Sequence, residues 1–121
     1  GSTYQIFKSE YRGGSWTHPS GLSDNISPDG VYSQDSQVAM DDNGNAIIAW
    51  NGTDDAEWGS YRMFKSEYRS GAWVNPAWLD YFNPGGSAYP PQVAMDGNRN
   101  AIIVWKQSDG SQFQIFKSEY R

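Results

Sequence analysis

Three glutamates of this 121-residue chain lie between basic side chains, where acid–base chemistry could be done. Glu10, Glu67 and Glu119 each follow a lysine by two positions and precede an arginine by two. Paired carboxylates carry out such chemistry in glycoside hydrolases. Here each glutamate instead has two cations on the same face of a strand, so the pattern favours a charged ladder between strands over a catalytic pair.

Four oxygen-bearing side chains have the composition of a calcium-binding loop: Asp41, Asp42, Asn43 and Asn45. In the matching stretch, residues 96–100, Arg99 would repel a cation, and neither copy has the glutamate that closes an EF-hand loop. We therefore expect a hairpin turn and no metal site. His18 is the only histidine, which excludes a multi-histidine site within one chain, and we expect it to be solvated.

The remaining residue types do not form a catalytic set. The chain has no cysteine, no Ser, His and Asp set and no phosphate-binding loop, so we predict no enzymatic activity and no cofactor. The net charge of −5 argues against nucleic acid or an anionic membrane as a partner, because both would be repelled. No apolar run approaches the roughly 18 to 20 residues that cross a bilayer.

The elements that must position these residues are short strands. Glycine occurs 13 times, proline occurs 6 times, and aromatic residues make up 16% of the chain, whereas no long helix-favouring stretch appears. This composition is typical of strands joined by tight turns. It predicts an all-β domain.

Internal repeats organise the chain. The segment IFKSEYR occupies residues 6–12 and returns at residues 115–121, and MFKSEYR occupies residues 63–69. The run VAMDDNGNAIIAW at residues 38–50 returns as VAMDGNRNAIIVW at residues 93–105, which is 55 positions later. A unit of about fifty residues lies in the range of a four-stranded propeller blade.

Four strands can be placed within a unit, and we call them A to D. Strand A lies at residues 37–41, an Asn-Gly turn follows, and strand B at residues 46–50 is apolar on both faces, as expected of a central strand. Strand C is the FKSEYR segment, whose alternation gives one apolar and one charged face. A glycine turn leads to a short outer strand D, at residues 15–17 and 72–74.

The strands follow one another as C D, then A B C D, then A B C. This order predicts a partial blade at residues 3–19, a complete blade at residues 37–76 and a second partial blade at residues 92–121. Two blades cannot close a ring, and their apolar faces would remain in water.

We therefore expect homo-oligomerisation. Strand D of one chain would complete the A B C sheet of the next, and three or four chains would form a head-to-tail ring of six or eight blades. One copy of strand C is then redundant at each junction, so it would fray or exchange between neighbours. Alternatively, the overlap reflects the limits of a fragment of a longer repeat array, whose open faces must still be covered.

The repeated motif also resembles a known group. The run V-A-M-D-x-N-G-N-A-I-I-x-W, followed by an aromatic strand and G-x-W, is similar to bacterial tandem repeats that form β-propellers on secreted or surface proteins. The near-identity of the copies also resembles recently amplified or engineered propellers. The resemblance covers nearly the whole chain and implies a propeller fold and an extracellular or cell-surface location. That group has no common catalytic set, and the sialidase-type Asp-box is not matched by SDGSQFQIF at residues 108–116.

The two copies differ in the loops on one side. The B-to-C connection changes between residues 51–62 and residues 106–114, and the D-to-A connection changes between residues 20–36 and residues 77–91. The other two turns keep their lengths. In a meandering blade the two variable connections emerge on the same rim, and loops on a rigid scaffold are where recognition is usually carried.

Aromatic side chains on this rim are the candidate ligand-binding residues: Trp58, Tyr61, Trp78, Tyr81, Phe82 and Tyr89, beside Asp54, Asp55 and Asp80. Aromatic planes with nearby hydrogen-bonding groups suit the stacking of carbohydrate rings or a protein epitope. Alternatively, several of these aromatics fill gaps between blades. Two functions remain open, a binding module with lectin-like recognition and a structural or engineered scaffold with no ligand of its own.

Overall fold

The computed structural model of the chain describes residues 3–54 and 59–121, and its strands form three antiparallel sheets. The first sheet consists of β1 (Glu10–Arg12) and β2 (Ser15–Thr17). The middle sheet consists of β3 (Tyr32–Met40), β4 (Ala46–Thr53), β5 (Arg62–Arg69) and β6 (Ala72–Val74). The third sheet consists of β7 (Gln92–Met95), β8 (Ala101–Ser108) and β9 (Phe113–Tyr120). In each sheet consecutive strands pair, so the prediction of an all-β chain is confirmed.

Helical structure is confined to two short 3-10 turns within the described residues, Leu22–Asp24 and Trp78–Asp80, which lie in the connections between sheets. No helix in this part of the chain is long and apolar enough to span a membrane. Strand pairing therefore provides the architecture on which the loops are held.

One carboxylate holds the turn between β3 and β4. Asp41 Oδ1 accepts hydrogen bonds from the backbone N–H groups of Asn43 and Asn45, and Asn45 Nδ2 donates to Asp41 Oδ2. Gly44 takes φ +84°, a left-handed conformation that glycine adopts without strain. Asp96 makes the same three bonds in the third sheet. The oxygen-rich stretch thus forms a hairpin turn, as predicted, and the described residues contain no acidic or histidine cluster arranged to hold a metal ion.

The two central strands of the middle sheet, β4 and β5, are packed on both faces. Ile47 lies in a core shared with Ile103 and other side chains of the third sheet. On the opposite face, Trp50 and Phe64 pack with the buried Ile6 of the N-terminal segment. All eight residues of β4 are buried, which confirms the prediction that strand B is central.

Only part of the first FKSEYR copy is a strand. The predicted strand C runs through residues 6–12, but pairing is confined to Glu10–Arg12, because none of the described strands lies beside the earlier residues as a strand B. Those residues bond to a loop instead. The Ile6 N–H donates to Ser27 Oγ at 2.9 Å, and the Ile6 carbonyl accepts from the Ile26 N–H at 2.8 Å.

Several connections are shorter than the sequence predicts. Strand β3 begins at Tyr32 instead of residue 37, and β4 continues to Thr53 instead of ending at residue 50. The additional pairing becomes possible because β3 contains a bulge between Gln34 and Gln37, beyond which the ladder resumes. A bulge of this kind has no sequence signature strong enough to predict it.

The charged face of FKSEYR forms ion pairs along each strand. Lys65 Nζ lies 2.9 Å from Glu67 Oε1, and Arg69 Nε lies 3.0 Å from Glu67 Oε2. The other two copies repeat both pairs. The prediction of a ladder between strands is therefore wrong. Each glutamate instead pairs with the lysine and the arginine two positions away on its own segment, because these side chains lie on the same face and close to it. In the middle sheet this face is half-buried against the third sheet.

Candidate functional site

The bulge in β3 opens a pocket on the variable rim. Gln34 still pairs with Asn51 of β4, but Asp35 leaves the ladder and takes φ +59°. A residue other than glycine rarely adopts this left-handed conformation, and aspartate is among those that tolerate it best. The bulge thus turns the Asp35 backbone out of the sheet beside the loops.

Asn51 forms the buried part of the pocket wall. Its side chain follows the last apolar residue of strand B and is only 3% exposed. Asn51 Nδ2 donates to the carbonyl of Ala88 at 3.2 Å. Asn51 Oδ1 has no hydrogen-bond partner within the described residues. A buried acceptor without a donor costs free energy, so this atom is an unusual feature of the wall.

Two loops complete the pocket and are held by hydrogen bonds from main-chain N–H groups. The Tyr61 N–H donates to Ser87 Oγ at 3.0 Å, and the Ala88 N–H donates to the Tyr61 carbonyl at 2.8 Å. The Tyr89 N–H donates to the Lys106 carbonyl at 2.8 Å. These bonds anchor the rim of a cavity of about 460 Å³, which lies within the usual size range of ligand sites. The lining includes Gln34, Asp35, Asn51, Tyr61, Ser87 and Tyr89.

Tyr89 gives the pocket an exposed aromatic wall. Its side chain is 43% exposed. Phe113 meets the ring edge-on with 5.2 Å between centroids, and Lys106 Nζ lies 4.5 Å from the Tyr89 centroid. These contacts support the ring from the third sheet and place an ammonium group next to it.

The predicted aromatic residues separate into two groups. Tyr61 and Tyr89 both line the pocket. Trp78 and Tyr81 instead pack around Phe64, with ring centroids 5.7 and 6.4 Å away, and Phe82 packs on a tryptophan of the third sheet. These three side chains therefore fill spaces next to the cores.

The polar residues predicted near the rim do not cluster in the pocket. Asp80 Oδ2 accepts from the Ala77 N–H at 2.8 Å, and Asp54 is exposed. Trp58 and Asp55 lie outside the described residues. His18 is exposed, as predicted, and its Nδ1 lies 2.8 Å from Ser9 Oγ.

Sequence reasoning missed four polar residues of the pocket: Gln34, Asp35, Asn51 and Ser87. One signal was present. Asn51 follows strand B directly, and the second copy has Lys106 at that position, so the two copies differ where the strand ends. The other residues reach the site through the bulge and the loop bonds, which the sequence pattern does not encode.

A second set of residues joins neighbouring sheets. The Arg12 guanidinium lies 3.7 Å from the centroid of the Tyr68 ring, and Arg12 Nη1 donates to the Gly44 carbonyl at 2.8 Å. The next pair of sheets repeats this contact with the equivalent residues. Arg69 lies 3.9 Å from the Tyr120 centroid and donates to the carbonyl at position 99. We call this contact the arginine joint.

Glu10 strengthens the first of these contacts. Its carboxylate accepts from Lys8 Nζ at 2.9 Å, from Arg12 Nε at 2.8 Å and from Trp73 Nε1 of the middle sheet at 3.0 Å. Burial raises the pKa of Glu10, but the hydrogen bonds from arginine, lysine and tryptophan lower it more, from the ordinary 4.5 to about 2. The carboxylate is thus held in its charged form.

Comparisons with protein-family models, with curated proteins and with solved structures found no match to this chain.

Proposed function

We propose that the chain is a non-enzymatic β-propeller module in which each sheet is a blade and copies associate head to tail into a closed ring. The rim with the pocket is its recognition face. The arginine joint is the observation that carries this proposal, because the same contact links two successive pairs of sheets. A contact that repeats between equivalent elements is what a ring of blades requires.

Side chains at equivalent positions of the middle and third sheets differ in exposure, which supports a vacant place for another sheet beside the middle sheet. Val38 and Met40 are 63% and 55% exposed. Their equivalents Val93 and Met95 are half-buried, because the middle sheet covers them. No strands A and B belong to the first sheet within the described residues, so nothing comparable covers Val38. The third sheet of another copy has these two strands.

The outer face of the third sheet has matching residues. Ile102, Val104 and Ile115 occupy the positions that Ile47, Ala49 and Met63 occupy in the middle sheet. The middle-sheet residues are buried against the third sheet, whereas Ile115 is exposed. A second copy could place the exposed face of its β3, which includes Val38, against these residues. The packing between the middle and third sheets would then be repeated between copies, and apolar surface would be removed from water.

The edge of β9 offers a place for a fourth strand. In the middle sheet, β5 pairs with β6 through Tyr68 and Trp73. Strand β9 carries the same FKSEY residues and has no outer neighbour among the described strands. Strand β2 of the next copy would fit there. Its Trp16, which is exposed, would then reach Glu67 as Trp73 reaches Glu10.

The composition of the pocket supports binding over catalysis. Asp35 is the one carboxylate among the described residues that line the pocket. Glycoside hydrolysis uses two carboxylates on opposite sides of the bond to be cut. A single carboxylate beside amide and hydroxyl groups can accept and donate hydrogen bonds without providing an acid–base pair.

A scaffold without a ligand is the second candidate function. The inward packing of Trp78, Tyr81 and Phe82 favours it, because these rim aromatics are used to fill the cores. A glycan array probed with the assembled protein separates the two functions. Silence across the array would favour the scaffold.

Native mass is the first test of the ring. We expect native mass spectrometry and light scattering to give three or four times the chain mass of 13.6 kDa, which corresponds to six or eight blades. The value should not change on tenfold dilution below the working concentration if the ring is closed. A stable monomer with dispersed NMR signals would overturn the proposal.

A further inference from the structure

We propose that the rim pocket binds a neutral saccharide, with Asp35 and Asn51 accepting hydrogen bonds from two of its hydroxyl groups. This inference rests on the proposed recognition role of the rim but not on ring formation, since every residue involved belongs to one chain. It names the ligand class and the polar residues that select it.

The first argument is the unpaired oxygen of Asn51. The amide is fixed in orientation, because Nδ2 donates to the Ala88 carbonyl. Oδ1 therefore remains on the other side of the amide, buried and without a donor in the described part of the chain. Because Oδ1 is enclosed, a ligand hydroxyl supplies the missing donor only when the pocket wall moves slightly to admit it. An amide satisfied in this way discriminates against ligands that have no hydroxyl.

The second argument is the placement of Asp35. An aspartate at φ +59° is conformationally unfavourable, and residues with such backbone outside tight turns cluster at functional sites. The ionised carboxylate only accepts hydrogen bonds. Gln34, the neighbour of Asp35, pairs with Asn51 across the sheet. The two acceptors thus line one cavity and suit a molecule with neighbouring donors, such as the hydroxyls of a sugar ring.

Charge distinguishes between classes of sugar. The chain carries a net charge of −5, and Asp35 lies in the pocket wall, so an acidic sugar would be repelled. The ammonium group of an amino sugar would be attracted to Asp35, but it would also lie near Lys106, whose Nζ is 4.5 Å from the Tyr89 centroid. A neutral sugar avoids both costs. Its apolar C–H face can pack on the exposed ring of Tyr89.

The test uses the intact chain in whatever assembly it forms. Methyl glycosides of glucose, galactose, mannose, fucose and N-acetylglucosamine are titrated and followed by saturation-transfer NMR and by backbone chemical shifts. We expect at least one glycoside to bind and to shift the amide signals of Asn51, Ala88 and Tyr89. Asp35→Asn should weaken that binding about tenfold, because it removes a charge-assisted hydrogen bond.

Asp42→Asn is the matched control, since Asp42 is an exposed aspartate in the turn on the opposite rim. It should leave the affinity within about twofold. Asparagine tolerates left-handed backbone, so Asp35→Asn is expected to fold, and circular dichroism checks this. The inference is overturned if no glycoside binds, if a peptide library binds in their place, or if the two variants have equal affinity. Native mass, measured on the same sample, reports separately on the ring.

Discussion

Glu10 illustrates how a residue that resembles a catalytic acid has a structural role. Its carboxylate bonds to Lys8 and Arg12 on its own segment and to Trp73 on the middle sheet. The hydrogen bonds that lower the pKa of Glu10 also stabilise the contact between sheets, and they hold the carboxyl group in its charged form instead of preparing a proton donor. The sequence predicted a structural role in charge pairing but placed the pairs between strands instead of along one segment. It did not predict the tryptophan, because residues 63 positions apart meet only in the folded chain.

Acid should weaken this contact. The folded-state pKa of Glu10 lies near 2, below the ordinary 4.5, so its contribution is complete above about pH 4.5 and is lost as the pH falls towards 2. We expect Glu10→Gln to lower the free energy of unfolding by about 1–2 kcal/mol at pH 7 after allowance for solvent screening. The difference from the natural chain should shrink at pH 3.

Urea unfolding at pH 7, 4.5 and 3 measures this effect. Glu119→Gln is the matched control, because Glu119 has the same lysine and arginine neighbours but is exposed and has no tryptophan donor among its described contacts. Its effect on stability should be much smaller. Equal losses for the two variants would show that Trp73 contributes nothing to the contact.

The candidate pocket could be predicted only in part. Tyr61 and Tyr89 followed from the comparison of loop copies, since both loops differ in sequence and both residues are aromatic. Asp35 and Asn51 did not. Asp35 enters the site through a register shift in β3, whose one-residue scale depends on side-chain packing that a single sequence does not display. Asn51 was marked only by the difference between the two copies at the end of strand B.

At the scale of elements, strand placement was most accurate where local turns determine it. Strand β2 at Ser15–Thr17 and β6 at Ala72–Val74 match the predicted strand D. The preceding turns contain Gly14 at φ +87° and Gly71 at φ +84°, a conformation favourable to glycine. Strand β1 was predicted too long, because a period-two pattern specifies a strand only when a neighbour is available to pair with it.

The packing of β4 against β3 can be tested at Gly52. A Cβ atom there would lie 2.9 Å from Val31 Cγ1 and 3.1 Å from Ser33 Oγ, which is too close for unstrained contact. We expect Gly52→Ala to lower the free energy of unfolding by about 1–3 kcal/mol. Thermal unfolding followed by circular dichroism gives the value.

Gly97→Ala is the matched control for this substitution. A Cβ atom at Gly97 has no other atom within 4 Å, and its φ lies outside the left-handed range. Its stability should equal or slightly exceed that of the natural chain, because alanine restricts the unfolded state. If both alanine variants had the same stability, the close packing of β3 on β4 near the pocket would be disproved.

At the scale of the whole molecule, the proposed association of copies can be tested at the exposed face of β3. Val38 is exposed in the single chain, so Val38→Glu should leave the fold of the chain intact. In the proposed ring the glutamate would be buried against apolar side chains, which costs several kcal/mol. We expect native mass spectrometry of this variant to give the monomer mass.

Leu22→Glu serves as the control, because Leu22 is also exposed but lies in the 3-10 turn outside the proposed interface. It should keep the mass of the natural protein. A ring that survives in Val38→Glu, or one that is lost equally in Leu22→Glu, would place the interface elsewhere on the molecule.

In the proposed ring, the arginine joint would act together with the hydrophobic cores in fixing the rotation from one sheet to the next. Copies joined head to tail form a closed ring only when the rotations between successive copies add up to one full turn. A slight change in how Arg12 sits on Tyr68 would leave each chain folded but prevent closure, and the copies would then add without limit into a fibre. The solubility of the proposed assembly therefore depends on the angle between successive sheets as well as on the charge of its surface.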